Sequence, residues 1–409
     1  MRTLQVISAQ PARINWPVMT DKGRPRGKSL ANVLAFLAHV GVTLRRNEFT
    51  RCDEITRDGH TRPLSDADVI ALHLEAHALG LDVPREFFGD CLTDQARQHG
   101  HHPVRDALAG LVWDRTPRLD NWLHRYAGAT DSALTRMMGR LFLIAAVRRV
   151  RQPGAKFDQC LVLEGPQGAG KSSLVRILAG EAWFTDCVDI GAEPKLIIEQ
   201  TAGSWIVELA ELSGIGNREV EQIKAMISRQ VDRARLSYGK RVSDVPRQFV
   251  LVGTVNDSAY LRDTTGNRRF WPVRVGPVDL EALRADRNQL WAEAAHYEAQ
   301  GEPLELPPDL WAEAAAEQEQ RLLADPWQER LEQLFDGRQG HVAIDDLWTF
   351  LHVKGDRQNG SIGRRLSGIM TRLGYTKKRL THPTKGRPWA YTNHPRPTEG
   401  TWIDPGYLS

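Results

Sequence analysis

Between Ser29 and His39 the apolar residues Leu30, Val33, Leu34 and Leu37 fall three and four apart, the period of one buried helix face. Thr43 to Ile55 reads as a pair of strands. Ser65 then opens a helix, SDADVIALHLEAHALG, with an acidic first turn and Gly80 at its end. Helical character continues from Asp94 to His99 and breaks at His102-Pro103 and again at Trp113-Asp114-Arg115. It returns from Leu119 to Val150 and ends in Arg148, Arg149 and Arg151. Those arginines suit the negative pole of the helix, or recognition of a nucleotide or nucleic acid.

The pattern changes at Phe157. In FDQCLVLEGPQGAGKSSLVRILAG, a continuous apolar run (Cys160 to Leu163) predicts a buried strand, and Leu174, Val175, Ile177 and Leu178 predict a helix. The loop between them fits G-x-x-x-x-G-K-[ST], with Gly165, Gly170, Lys171 and Ser172 in the fixed places. Glycines let backbone N–H groups converge on an anion, and the following helix turns its positive end towards it. The expected nucleotide cradle is Gly165, Pro166, Gln167, Gly168, Ala169, Gly170, Lys171, Ser172 and Ser173. Lys171 would reach the β- and γ-phosphates of ATP, and the Ser172 hydroxyl would bind Mg²⁺. A strand running through such a loop into a helix makes this region α/β.

Further along, a polar helix spans Glu193 to Gln200, and Trp205, Ile206 and Val207 form a short buried strand followed by Glu208 and Glu211. A P-loop enzyme needs one acid to hold Mg²⁺ and benefits from another to orient or deprotonate the attacking water. Glu208 suits the first role and Glu211 the second, and the two could be exchanged. Arg218 to Val231 reads as a helix. Tyr238-Gly239-Lys240-Arg241 has the character of a hairpin tip, either solvated or gripping a nucleic-acid backbone through Lys240 and Arg241. The strand Gln248 to Val255 ends at Asn256, whose polar side chain can sense the γ-phosphate and position water. Arg268 and Arg269 precede Phe270-Trp271-Pro272, and one of them, offered to a neighbour's nucleotide, would supply positive charge as the γ-phosphate leaves.

Beyond Asp279 to Glu298 and Leu310 to Leu323, both helical, the pattern from Val342 is helix, helix, hairpin, which predicts a winged helix. Between Arg357 and Arg396 lie Arg364, Arg365, Arg372, Lys377, Lys378, Arg379, Lys385 and Arg387, with no Asp or Glu. That local excess is an electrostatic footprint for a DNA backbone, or else a basic protein-docking face.

The totals narrow the picture less. A chain of 409 residues implies two or three domains, and 41% hydrophobic with 26% charged residues is a globular composition. A net charge of +3 says little by itself. Cys52, Cys91, Cys160 and Cys187 lie far apart with no C-x-x-C, as expected of reduced thiols in a cytoplasmic protein. His99, His101 and His102 are close together, but no cysteine or carboxylate stands at matching spacing for a metal site. No run is long and apolar enough to span a membrane, and no signal-peptide pattern opens the chain.

The segments GPQGAGKS, WIVELAEL, VDRARLSYGKR, VPRQFVLVGTVN and GNRRFWPV, in this order, closely resemble the virulence-associated protein E family. HPVRDAL, WDRTPRLDNWL and RRVRQPGAKFDQ resemble the family's lead-in, so the likeness covers roughly residues 90–325. The family is similar to the superfamily 3 helicases, a branch of the AAA+ ATPases carried by phages, plasmids and integrated elements. The resemblance implies an AAA+-like core with ATP and Mg²⁺, a hexameric ring acting on DNA in replication, and contacts with host or phage replication proteins. It aligns Lys171 and Ser172 with Walker A, Glu208 and Glu211 with Walker B, Asn256 with sensor 1, and Arg268 or Arg269 with the arginine finger. Glu-Leu-Ala-Glu replaces the adjacent Asp-Glu of many AAA+ proteins, which leaves the catalytic carboxylate open between the two glutamates. The expected domains are an N-terminal α+β region (1–90), a mainly helical lead-in (91–156), the ATPase core (157–276), a helical lid (277–325) and a basic winged helix (326–409). The rival readings are a DNA-binding ATPase switch that never unwinds, and a module that docks on host replication proteins.

Overall fold

The computed structural model describes residues 14–210, 217–235, 242–256, 259–261, 266–322, 325–358, 360–396 and 400–405. The chain divides into two compact units, residues 1–258 with 268–318, and residues 259–267 with 319–409.

The larger unit is built on five parallel strands: β1 (Cys160–Glu164), β2 (Phe184–Thr185), β3 (Ile206–Leu209), β4 (Val250–Val255) and β5 (Phe270–Arg274). Their order across the sheet is β5-β1-β4-β3-β2. Every residue of β1, β3 and β4 is buried, as a parallel sheet covered on both faces requires. Its helices include α1 (Ala133–Arg151), α2 (Lys171–Ala179), α3 (Pro194–Gln200), α4 (Asn217–Ser228) and α5 (Leu280–Ala299), of which α1 and α2 lie against the strands of the sheet. Ser132 caps α1 by accepting from Thr135 N–H, and α5 packs on both α1 and α2. Two tryptophans fasten this layer. Trp205 donates to Ala146 O of α1 at 2.8 Å, Trp291 donates to Leu178 O of α2 at 2.9 Å, and their ring centroids lie 4.0 Å apart. Truncating either to alanine would cost about 3–5 kcal/mol.

Residues 33–96 hold a second, smaller core, whereas Val104 to Ala129 pack into the main one. The expected strand pair is antiparallel, Thr43–Asn47 against Cys52–Arg57. A third strand, His60–Pro63, and a short parallel one, Gly100–His101, extend it beyond the sequence expectation. Ser65 and Asp68 form a reciprocal capping box at the start of Asp66–Ala78, and the helix expected at 94–99 begins earlier, as Arg85–Gln98.

In the smaller unit α6 (Pro326–Phe335), β6 (His341–Ala343), α7 (Ile344–Phe350), α8 (Gly360–Arg372), β7 (Thr376–Arg379) and β8 (Trp389–Thr392) follow one another. The strands make an antiparallel sheet in the order β6-β8-β7, closed over Leu331, Leu347, Leu366, Met370, Tyr375 and Tyr391. Among the described residues no helix is long and apolar enough to cross a membrane.

Candidate functional site

The glycine loop leaves β1 at the carboxyl edge of the sheet. Gly168 and Gly170 have φ of +80° and +88°, a left-handed conformation that a side chain disfavours. At Gly165 a Cβ would lie 2.9 Å from Val275 Cγ2, so this position is closed to a side chain by its neighbour rather than by its own torsion. Lys171 is buried, and its ammonium donates to Gly165 O at 2.6 Å, Pro166 O at 2.9 Å and Asn256 Oδ1 at 3.1 Å. Burial lowers its pKa from the usual lysine value, and the negative charge of Glu208 opposes that shift. The first turn of α2 leaves Ser172 and Ser173 exposed beside the loop.

Glu208 stands on β3, two strands away from the loop, and is 2% exposed. Its Oε1 accepts the Ser172 hydroxyl at 2.6 Å and the Thr254 hydroxyl of β4 at 2.6 Å. Its Oε2 is buried and has no hydrogen-bond partner among the described residues. A buried carboxylate oxygen without a donor is costly, and a cation beside the Ser172 hydroxyl would satisfy it. An all-oxygen pair of this kind fits Mg²⁺, which keeps several of its waters. Thr254 is the member of this cluster that sequence reasoning missed. Its only signal is a hydroxyl two residues before Asn256 in an otherwise apolar strand.

Asn256 follows the last residue of β4 and reaches Lys171 directly. Glu211, Lys240 and Arg241 lie outside the described residues, as does the expected hairpin tip at 238–241. The strands Val231–Ala234 and Ser243–Pro246 are paired antiparallel. Arg268 and Arg269 do not join the cluster. β5 runs parallel to β1 with Phe270 level with Cys160 and Arg274 level with Glu164, so the arginine pair lies at the opposite edge of the sheet. Five residues of strand separate the two levels, about 16 Å. Arg269 donates to Ser228 Oγ at 2.6 Å, whereas Arg268 is exposed.

The arginines that end α1 are structural, contrary to one sequence expectation for them. Arg149 is 1% exposed and donates to the carbonyls of Ala155, Phe157 and Phe249. Arg148 and Arg151 both pair with Glu298 of α5. The three histidines also face separate partners: His99 the carbonyl of Gln95, His101 Glu54, and His102 Gln248.

A family model described as the virulence-associated protein E-like domain matches residues 108–323, more than half of the 409-residue chain. The chain belongs to the virulence-associated protein E-like family. Among solved structures, the apo structure of the NrS-1 C-terminal region is similar at 10% identity, over 88% of this chain and 98% of that one, with a TM-score of 0.46. The A-form apo structure of the same region gives 12% identity over the same shares, with a TM-score of 0.47. No curated protein matches the sequence.

The family match contains the glycine loop, Glu208, Thr254, Asn256 and the arginine pair, and ends before α6. In the smaller unit the eight basic residues divide into two sets. Arg365 makes a bidentate pair with Asp325, Arg372 donates to Gln328 Oε1 at 2.9 Å, and Lys385 pairs with Asp346. Their acceptors lie outside the acid-free window in sequence and are brought in by folding. Arg364, Lys377, Lys378, Arg379 and Arg387 are exposed and make no ion pair among the described residues.

Proposed function

We propose that this virulence-associated protein E-like chain is a Mg²⁺-dependent ATPase that works on DNA as a ring, the superfamily 3-type replicative helicase of a phage, plasmid or integrated element. The observation that carries the reading is the convergence of Lys171, Ser172, Glu208, Thr254 and Asn256 at one edge of the parallel sheet, with Glu208 Oε2 left without a donor among the described residues.

In this reading residues 165–173 form the phosphate-binding loop. Lys171 exchanges its carbonyl acceptors for the β- and γ-phosphate oxygens, and Asn256 holds the attacking water. Ser172 and Glu208 hold Mg²⁺, which supplies neutralising charge on the phosphates. Thr254 fixes the carboxylate that does so. Glu211 is the second acid of the pair and takes the water's proton. The edge opposite the loop carries Arg268, which is too distant for its own chain's nucleotide and exposed for a neighbour's. That separation supports ATP lying between subunits. The smaller unit, with its helix, strand, helix, helix, hairpin order and five cations that make no ion pair among the described residues, is read as a winged helix on DNA.

The test is ATP turnover with and without single-stranded and forked DNA, for the wild type and for Lys171→Ala, Arg268→Ala and Arg269→Ala. Stimulation by DNA, abolished by Lys171→Ala and by one arginine variant, supports a translocating ring. A slow rate indifferent to DNA rejects the helicase and favours the ATPase switch.

A further inference from the structure

Trp389 opens β8 with 48% of its surface exposed, while the next three residues of the strand, Ala390, Tyr391 and Thr392, are all buried. The hairpin register sets it opposite Arg379, with Lys377 two pairs further along and so on the same face. The Arg379 guanidinium lies 5.3 Å from the ring centroid and the Lys377 ammonium 5.2 Å. Lys378 and Arg387 are also exposed on this hairpin.

We infer that this face is a stacking platform for an unpaired DNA base, with Trp389 as the platform and Lys377 and Arg379 as the flanking phosphate contacts. A single exposed apolar residue needs no explanation. An indole with two cations over its ring, neither paired with an acid among the described residues, does, because the three together match the chemistry of a single strand: a base with a π-face and a phosphate to either side. Duplex DNA fits the cations alone, since its bases are stacked out of the ring's reach and backbone contact makes no use of an indole. The cation–π contacts hold the ring in place before a base arrives, which lowers the ordering cost of stacking. The inference rests on the reading of the smaller unit as a DNA-binding module and adds the form of DNA it takes.

The experiment measures binding of the full chain to a fluorescein-labelled single-stranded oligonucleotide and to the blunt duplex of the same sequence, by anisotropy at fixed salt. Trp389→Ala should weaken single-strand binding by about tenfold and leave duplex binding little changed. Trp389→Phe, which keeps a π-face, should restore most of the loss. Lys378→Ala should weaken both and flatten the salt dependence, since it removes only a backbone charge. Equal single-strand affinity in wild type and Trp389→Ala overturns the proposal, and so does an equal loss on both DNAs, which would make the ring a general contact. A wild type that binds neither DNA removes the DNA reading itself, a different outcome from loss of the Trp389 effect alone.

Discussion

The Ser172 hydroxyl donates to Glu208 Oε1 at 2.6 Å, tying the first turn of α2 to the middle of β3. Thr254 fills the same oxygen from β4, and the second carboxylate oxygen is buried without a donor among the described residues. One side of the carboxylate is therefore fixed by the protein, and in the proposed reading the other takes Mg²⁺.

Replacing Thr254 by Val removes the donor that orients Glu208 without touching the nucleotide. The expected loss is about 10–100-fold in Mg²⁺ affinity or in turnover, the usual cost of removing a partner behind a metal-holding group. Glu208→Gln removes the charge itself and should lose more, with the fold intact. A Mg²⁺ titration of ATP turnover checks both. A wild-type titration curve for Glu208→Gln would remove Glu208 from the metal site.

Arg268 and Lys171 lie at opposite edges of one sheet. If they serve one nucleotide, they must come from different subunits. Arg268→Ala should lower turnover by roughly 10³-fold, the low end for an arginine finger, and Lys171→Ala should abolish it. Mixing the two inactive variants should restore a rate above either alone, because some interfaces regain both residues. Mixtures no faster than their components would argue against a shared site.

The glycine loop, the buried strands and Asn256 were legible in the sequence because each is a local pattern. Continuous apolar runs, loop spacing and helix periodicity are each set within a few residues. Thr254 was not legible, because its role depends on β4 lying between β1 and β3, and strand order is set by long-range packing. The partners of the basic C-terminal window were not legible for a similar reason. The window contains no acid, yet Asp325 and Asp346 reach Arg365 and Lys385 from outside it. Trp389 is one aromatic among twelve tryptophans until the hairpin register sets Arg379 opposite it.

Arg149 shows the same limit from the other side. Read along the chain it ends a helix. In the fold it is a buried strut between α1 and the segments entering β1 and β4, held by three carbonyls, and burial pushes its pKa down to about 10. Arg149→Met should cost about 3 kcal/mol by leaving those carbonyls unpaired. Arg149→Lys should recover little, since one ammonium cannot replace a planar fork. Urea unfolding measures the loss, and nucleotide affinity of the folded variant should be unchanged. A variant of normal stability with impaired nucleotide binding would restore the recognition role.

His102 gives the larger unit a defined response to acid. The Arg105 N–H donates to its Nδ1 at 3.2 Å, so the proton is on Nε2, which donates to Gln248 Oε1 at 2.7 Å. Both nitrogens are used by the neutral ring. Burial lowers its pKa below the usual histidine value, Arg105 adds to that, and the Gln248 hydrogen bond opposes it. In the unfolded chain this histidine takes up a proton near pH 6.5. The folded state resists until a lower pH, so the unfolded state binds more protons across that interval and stability falls as the pH drops through it. Above the interval the contribution is constant. His102→Asn keeps a side chain able to accept from Arg105 N–H but has no proton to gain. Melting temperatures between about pH 7.5 and 5.5 should therefore fall more steeply for the wild type than for His102→Asn. Parallel curves would mean that the ring charges as easily in the folded protein as in the unfolded chain, and would overturn the lowering of its pKa by burial.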